Sequence, residues 1–207
     1  MTIEDRLTTL DALWSVWAEN GRALTDEQWT RPTRLGAWDV RSLYAHAGSW
    51  PSAFTSLVNQ VREAEPTHAT AAALLRAFNA PDGVAHRLRD WNATSAGEDA
   101  AKYSTAQLIE RFATEGPQAI ATARRQGAVA VDYYGMAVLA LDEVVSIGIM
   151  EATVHLLDLH HALGRPPNVP AEGLAHTTAL LAEMAPPIDF IEAATGRRPD
   201  DLFPLLS

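Results

Sequence analysis

Apolar residues recur at helical spacing from the start of the chain: Leu7, Leu10, Leu13, Trp14 and Trp17 fall on one side of a helix over residues 3–21. The stretch ENGRALTDEQW ends it, with Thr25 capping a short turn toward Trp29, and TRPTRLG reads as a loop. Asp39 is the expected N-cap of a second main helix running toward Glu63, which Pro51 should kink or divide. Residues 70–80 form another helical piece, and NAPDGVAHRLRDWNATSAGED mixes a turn with a short helix. Ser104 or Thr105 opens a third main helix, AQLIERFATEGPQAIATARRQ, interrupted by a Gly-Pro pair. The stretch GAVAVDYYGM fits either an extended segment or a loop. A fourth main helix spans about 137–163 and stops at Gly164, with Pro166 and Pro167 behind it. One more helix covers roughly 170–184, followed by a short helix and an irregular tail.

Four long helices, no internal repeat and no domain-separating linker predict an all-α fold: a four-helix bundle over about 3–164 with accessory helices in a C-terminal extension over 165–207, one domain in all. Composition agrees, since Ala and Leu are abundant and β-branched runs are few. The 26 acidic residues outnumber the 16 basic ones, for a net charge of −10. That balance excludes general binding to a nucleic-acid backbone, because such binding needs a concentrated basic face. The one local basic pair, Arg124 and Arg125, suits the C-terminal end of a helix. There is no cysteine, which removes disulfides, thiolate ligands and a cysteine nucleophile together. The N-terminus has no basic region leading an apolar core, and no run approaches the ~20 apolar residues of a membrane span. A cytoplasmic protein without membrane contact is the expectation; a homodimer is possible for a small bundle.

One segment breaks the apolar pattern. In IGIMEATVHLLDLHHALGRPP, Glu151 and His155 stand one turn apart among residues that belong in a core, on one face of their helix about 40° from one another. Asp158 follows on the same side, whereas His160 and His161 point elsewhere, at the helix end where positive character suits the dipole. A buried carboxylate requires a partner. The pair is either a hydrogen-bonded interior couple or half of a metal site needing a third ligand from another helix. His68 and His86 lie in loop-rich surroundings and His176 follows an acidic turn. His46 stands in a main helix on a stripe with Asp39, Leu43 and Trp50, facing a pocket. Tyr44 and Trp50 suit either that pocket or the core, and Tyr133 and Tyr134, ahead of the fourth helix, are candidates for its open side. Arg41 either pairs in a salt bridge at the helix start or attracts an anionic substrate.

The segments LGAWDVRSLYAHAGSW and EATVHLLDLHHALGRPP, with AATGRRP near the C-terminus, resemble the mycothiol-dependent maleylpyruvate isomerase N-terminal domain family of the DinB-like metalloprotein superfamily, in the same order over residues 5–199. The resemblance implies an antiparallel four-helix bundle with a divalent metal between its helices, zinc before nickel. It places the ligands on His46, Glu151 and His155, with Asp158 supporting a ligand rather than serving as one.

Two imidazoles and one carboxylate leave a position open on zinc, as at catalytic sites. In the resembled family the incoming ligand is a low-molecular-weight thiol such as mycothiol, activated for attack on an electrophilic carbon, and a chain without cysteine must take its thiol from solution. The isomerase that names the family has a further C-terminal domain contributing to its active site. The 207 residues here hold a bundle and a short extension, so the expectation is a thiol-dependent transferase or isomerase with an unnamed electrophile. Two other readings stand beside it. One is a hydrolase using metal-bound hydroxide, with Asp158 as the only nearby base. The other is a non-catalytic metal-stabilised bundle that binds a small molecule or partner, closed by a fourth ligand such as His176.

Overall fold

The computed structural model describes residues 1–197, 202 and 204–206, the side chains of 89–93 excepted. Helix accounts for 67% of the chain and strand for 6%, so the all-α expectation holds with a small sheet added. Helix α1 (Ile3–Ala23) begins at a capping box: the Thr2 hydroxyl accepts from the Asp5 amide while the Asp5 carboxylate accepts from the Thr2 amide. Its five predicted apolar positions are all buried. Thr25 caps the single turn α2 (Asp26–Trp29). Asp39 caps α3 (Val40–Leu57), accepting from both the amide and the hydroxyl of Ser42. This helix continues through Pro51 rather than dividing there, and it ends six residues short of Glu63.

Two departures from the sequence reading follow. Helix α5 (Val84–Lys102), reached after α4 (Ala71–Phe78), is a long element where a turn and a short helix were expected. Thr94, Ser95 and Gly97 are poor helix formers, and packing of α5 on α3 and α4 overrides their preference. The third main helix is three consecutive pieces: α6 (Thr105–Glu110), capped by Ser104, a π-helical turn (Arg111–Glu115), and α7 (Gly116–Gln126). Gly116 is needed for close approach rather than as a break, since a Cβ there would lie 2.6 Å from the Trp14 ring.

The ambiguous stretch before the fourth helix is a β-hairpin. Strands β2 (Ala130–Tyr133) and β3 (Ala137–Ala140) pair antiparallel, and β2 also pairs with β1 (Val61–Arg62). Helix α8 (Leu141–Leu163) therefore starts four residues later than the apolar pattern suggested, and it ends at Gly164 in the left-handed region as expected. Helix α9 (Ala171–Met184) packs on α8, α1 and α4; α10 (Pro187–Ala194) has no buried residue. Of the tail read as irregular, 198–201, 203 and 207 lie outside the described residues.

The bundle is α1, α8, α3 and the α6–α7 segment, each packed on the next around the ring. Its centre is aromatic: Trp17 stacks on Phe112 at 5.1 Å and meets Tyr44 edge-on at 4.9 Å. The Trp17 indole N–H donates to the Ala152 carbonyl at 3.1 Å, and the Tyr44 hydroxyl donates to the Trp17 carbonyl at 3.1 Å. These buried bonds fix α1, α3 and α8 against one another beside Glu151. Tyr44 is thereby a core residue.

Candidate metal centre

His46 comes from the middle of α3, two turns beyond the Asp39 cap; Glu151 and His155 come from successive turns of α8. Both helices are apolar around these positions, with Leu43, Ala45 and Ala47 buried on one and Met150, Ala152 and Leu156 on the other. The polar face of each helix therefore meets that of its neighbour. One ligand atom from each of His46, Glu151 and His155 lies within 4.8 Å of the others, the only such cluster among the described residues. The imidazoles of His46 and His155 stand edge to face, centroids 4.9 Å apart. His155 Nε2 and a Glu151 oxygen are 3.4 Å apart, close to the edge of about 3.3 Å that a tetrahedron of ~2 Å bonds implies. Two nitrogens, one anionic oxygen and this spacing fit a zinc-like divalent ion.

Each donor has a holder. His155 Nδ1 is 2.9 Å from Asp158 Oδ2, and Asp158 Oδ1 accepts from Arg34 Nε at 2.6 Å. Asp158 is buried, so it needs both partners. A proton on His155 Nδ1 leaves Nε2 free to ligate, which is the role of a carboxylate behind a metal-bound histidine. Trp50 lies near enough to the Glu151 carboxylate to favour its charged form, and the Trp38 ring lies against His46 at 4.8 Å. A cavity of about 270 Å³, lined by His46, Ser49, Ser95, Glu98 and Asp99, opens between α3 and α5. His46 thus faces a pocket, as its stripe predicted. His155 is 14% and Glu151 25% exposed, so the cluster keeps a face toward solvent.

Electrostatics sort the three donors. Burial, with the neighbouring His155 charge, brings His46 down to about 4 against a smaller opposing pull from Glu151. Burial would also lower His155, but hydrogen bonds and charge from Asp158 and Glu151 outweigh it and carry it up to about 9. For Glu151, burial pushes upward and the two histidines with Trp50 overcome it, holding the carboxyl below its ordinary range. Without metal the site at neutral pH holds a neutral His46, an ionised Glu151 and a proton on His155.

Of the other candidates, Tyr133 and Tyr134 lie at the hairpin tip, their phenols raised by burial and by the Glu151 charge. Arg41 is engaged elsewhere: it donates to the carbonyls of Ala100 and Tyr103 and to the Thr105 hydroxyl, tying the end of α5 to the start of α6. This is neither of the two roles weighed for it. His176 is not brought to the cluster; the charges acting on it are those of Arg6 and Glu143. His160 is buried rather than a surface cap, while His161 is exposed. His86 is exposed and His68 half-buried. Sequence reasoning missed Arg34, which stood in a stretch read only as a loop, and gave Trp38 no role at the site. Nothing in its spacing signalled the ion pair with Asp158.

A family model described as the mycothiol maleylpyruvate isomerase N-terminal domain matches residues 10–160. That span contains His46, Glu151, His155 and Asp158 but not the AATGRRP segment, whose last residues, Arg198 and Pro199, are also outside the described ones. No curated protein and no solved structure matches the chain.

Proposed function

The chain belongs to the mycothiol maleylpyruvate isomerase N-terminal domain family, and on that footing we propose that it is a metal-dependent enzyme of the thiol-dependent transferase or isomerase class. The observation that carries this reading is the three-donor cluster on α3 and α8 with one side toward solvent. His46, Glu151 and His155 hold the ion, zinc before nickel. A divalent ion there supplies an open, positively charged position that lowers the pKa of an incoming thiol. The thiol comes from solution, since the chain has no cysteine, and the family name points to mycothiol or a similar small thiol. The second substrate is a small electrophile.

The protein's own residues divide the remaining work. Asp158, held ionised against burial by His155 and Arg34, orients His155 and holds its Nδ1 proton. Trp50, beside Glu151, helps hold its carboxylate in the charged form. The cavity beside His46 offers room for part of a polar ligand. The hydrolytic alternative needs Asp158 to take a proton from water, and both oxygens of Asp158 are already engaged. The closed-site alternative needs a fourth protein ligand, and His176 lies with Arg6 and Glu143 instead.

Calorimetry of the zinc-loaded protein with a panel of small thiols, mycothiol and cysteine among them, tests the reading. Saturable binding that disappears when the metal is chelated is the expected result. Heats that are indifferent to thiol, with metal in place, overturn it.

A further inference from the structure

The hairpin before α8 carries the one non-glycine residue with positive φ among the described residues, Tyr134 at 57°. Its tip is Tyr134–Gly135–Met136, closed by the Met136 amide donating to the Tyr133 carbonyl at 3.0 Å and by the Gly135 amide donating to Asp132 Oδ1 at 2.5 Å. Tyr134 and Gly135 (φ 70°) are both left-handed, in positions that normally go to Asn, Asp or Gly. A tyrosine there is strained, and strain of this kind gathers where a side chain has a task.

The hairpin's length says where that side chain is delivered. Five residues of strand from Leu141 back to Met136 cover about 17 Å, and ten residues of helix from Leu141 on to Glu151 cover about 15 Å. Both strands pack on α8, and β2 also packs on α3, so the hairpin lies against the two helices that carry the cluster. These lengths allow its tip to reach the level of Glu151, whose charge acts on both tip tyrosines. Tyr133 is buried against Phe78 (6.2 Å) and meets Tyr134 edge-on (4.8 Å), so it braces the Tyr134 ring, which stays 47% exposed. The Glu151 charge reaches both phenols, and Tyr134, pushed up to about 12, remains a hydrogen-bond donor at every ordinary pH.

We propose that Tyr134 is a ligand-contacting residue of the metal centre, its phenol O–H donating a hydrogen bond to the anionic group that enters the open position. This rests on the metal-site reading above but not on the identity of the ligand as a thiol.

Cobalt-loaded wild type, Tyr134→Phe and Tyr134→Asn, followed by visible absorption during titration with azide and, separately, with cysteine, test it. Azide needs only an open metal position and a donor beside it. The expected result is azide binding weakened about tenfold or more in both variants, cobalt affinity unchanged. Tyr134→Asn should also raise Tm by about 2–4 °C as the strained turn relaxes. Wild-type affinity for azide in Tyr134→Phe overturns the proposal, and so does a lower Tm in Tyr134→Asn, which would make the ring a packing residue. Wild type that takes azide but no thiol sinks the thiol-dependent function and leaves Tyr134 in its place.

Discussion

Asp158 sits at the centre of the site's chemistry without being one of its donors. Its two oxygens join the half-exposed loop residue Arg34 to His155. Asp158→Asn keeps the shape but removes the charge behind His155, and zinc affinity measured by competition with a chelator should fall about 10–100-fold. Unchanged affinity would reduce Asp158 to a structural partner of Arg34. The two histidines also set a pH dependence. Between about 4 and about 9 the metal-free His155 is an imidazolium, and metal must displace its Nε2 proton while the Nδ1 proton stays toward Asp158. Metal affinity should therefore rise about tenfold per pH unit through this window and level off above it, with about one proton released per ion at pH 7. Calorimetry in buffers of different ionisation enthalpy counts that proton; zero or two contradicts the assignment. The pairing of Glu151 with His155 was legible, because helix spacing is fixed by backbone geometry and puts them on one face before any fold is known. Arg34 was not legible: a loop has no periodicity, and its partner lies 124 positions away.

Main helices of the bundle were readable from apolar spacing, and helix starts, the short α2 included, from Thr25, Asp39 and Ser104, since a cap is a local bond between neighbours in sequence. Elements whose identity depends on distant packing were not. The hairpin 130–140 buries Val131, Tyr133, Ala137 and Leu139 on alternate positions, but alanines on the other face blur the alternation, and Tyr-Gly is an unusual tip. Helix α5 is held by α3 and α4 rather than by its own residues. The Gly-Pro pair misled for a related reason, because Gly116 marks contact between helices and not a break. Gly116→Ala tests this directly. Helix propensity alone favours alanine by up to about 1 kcal/mol, while forcing a methyl against the Trp14 ring costs about 1–3 kcal/mol. Denaturant unfolding should show a net loss of stability; a gain would mean the α1–α7 contact is looser than its 2.6 Å approach indicates.

At the scale of the molecule, His46 and the Glu151–His155 pair lie about a hundred residues apart in sequence, and the bundle core brings them together. Trp17 bonded to Ala152, and Tyr44 bonded to Trp17, lock the helices that carry His46 and Glu151. An ion bound by α3 and α8 would then cross-link the two helices, adding stability that rises with the logarithm of free ion above its Kd. The acid excess leaves such a cluster as the attractive place for a cation rather than making the surface one for polyanions. Metal analysis of protein purified without added metal, repeated on His46→Ala and His155→Ala, decides whether this arrangement is a metal centre. Wild type should carry about one divalent ion per chain, zinc foremost, and each variant close to none. Equal metal in wild type and both variants would place the ion elsewhere, or nowhere, and end the case for His46, Glu151 and His155.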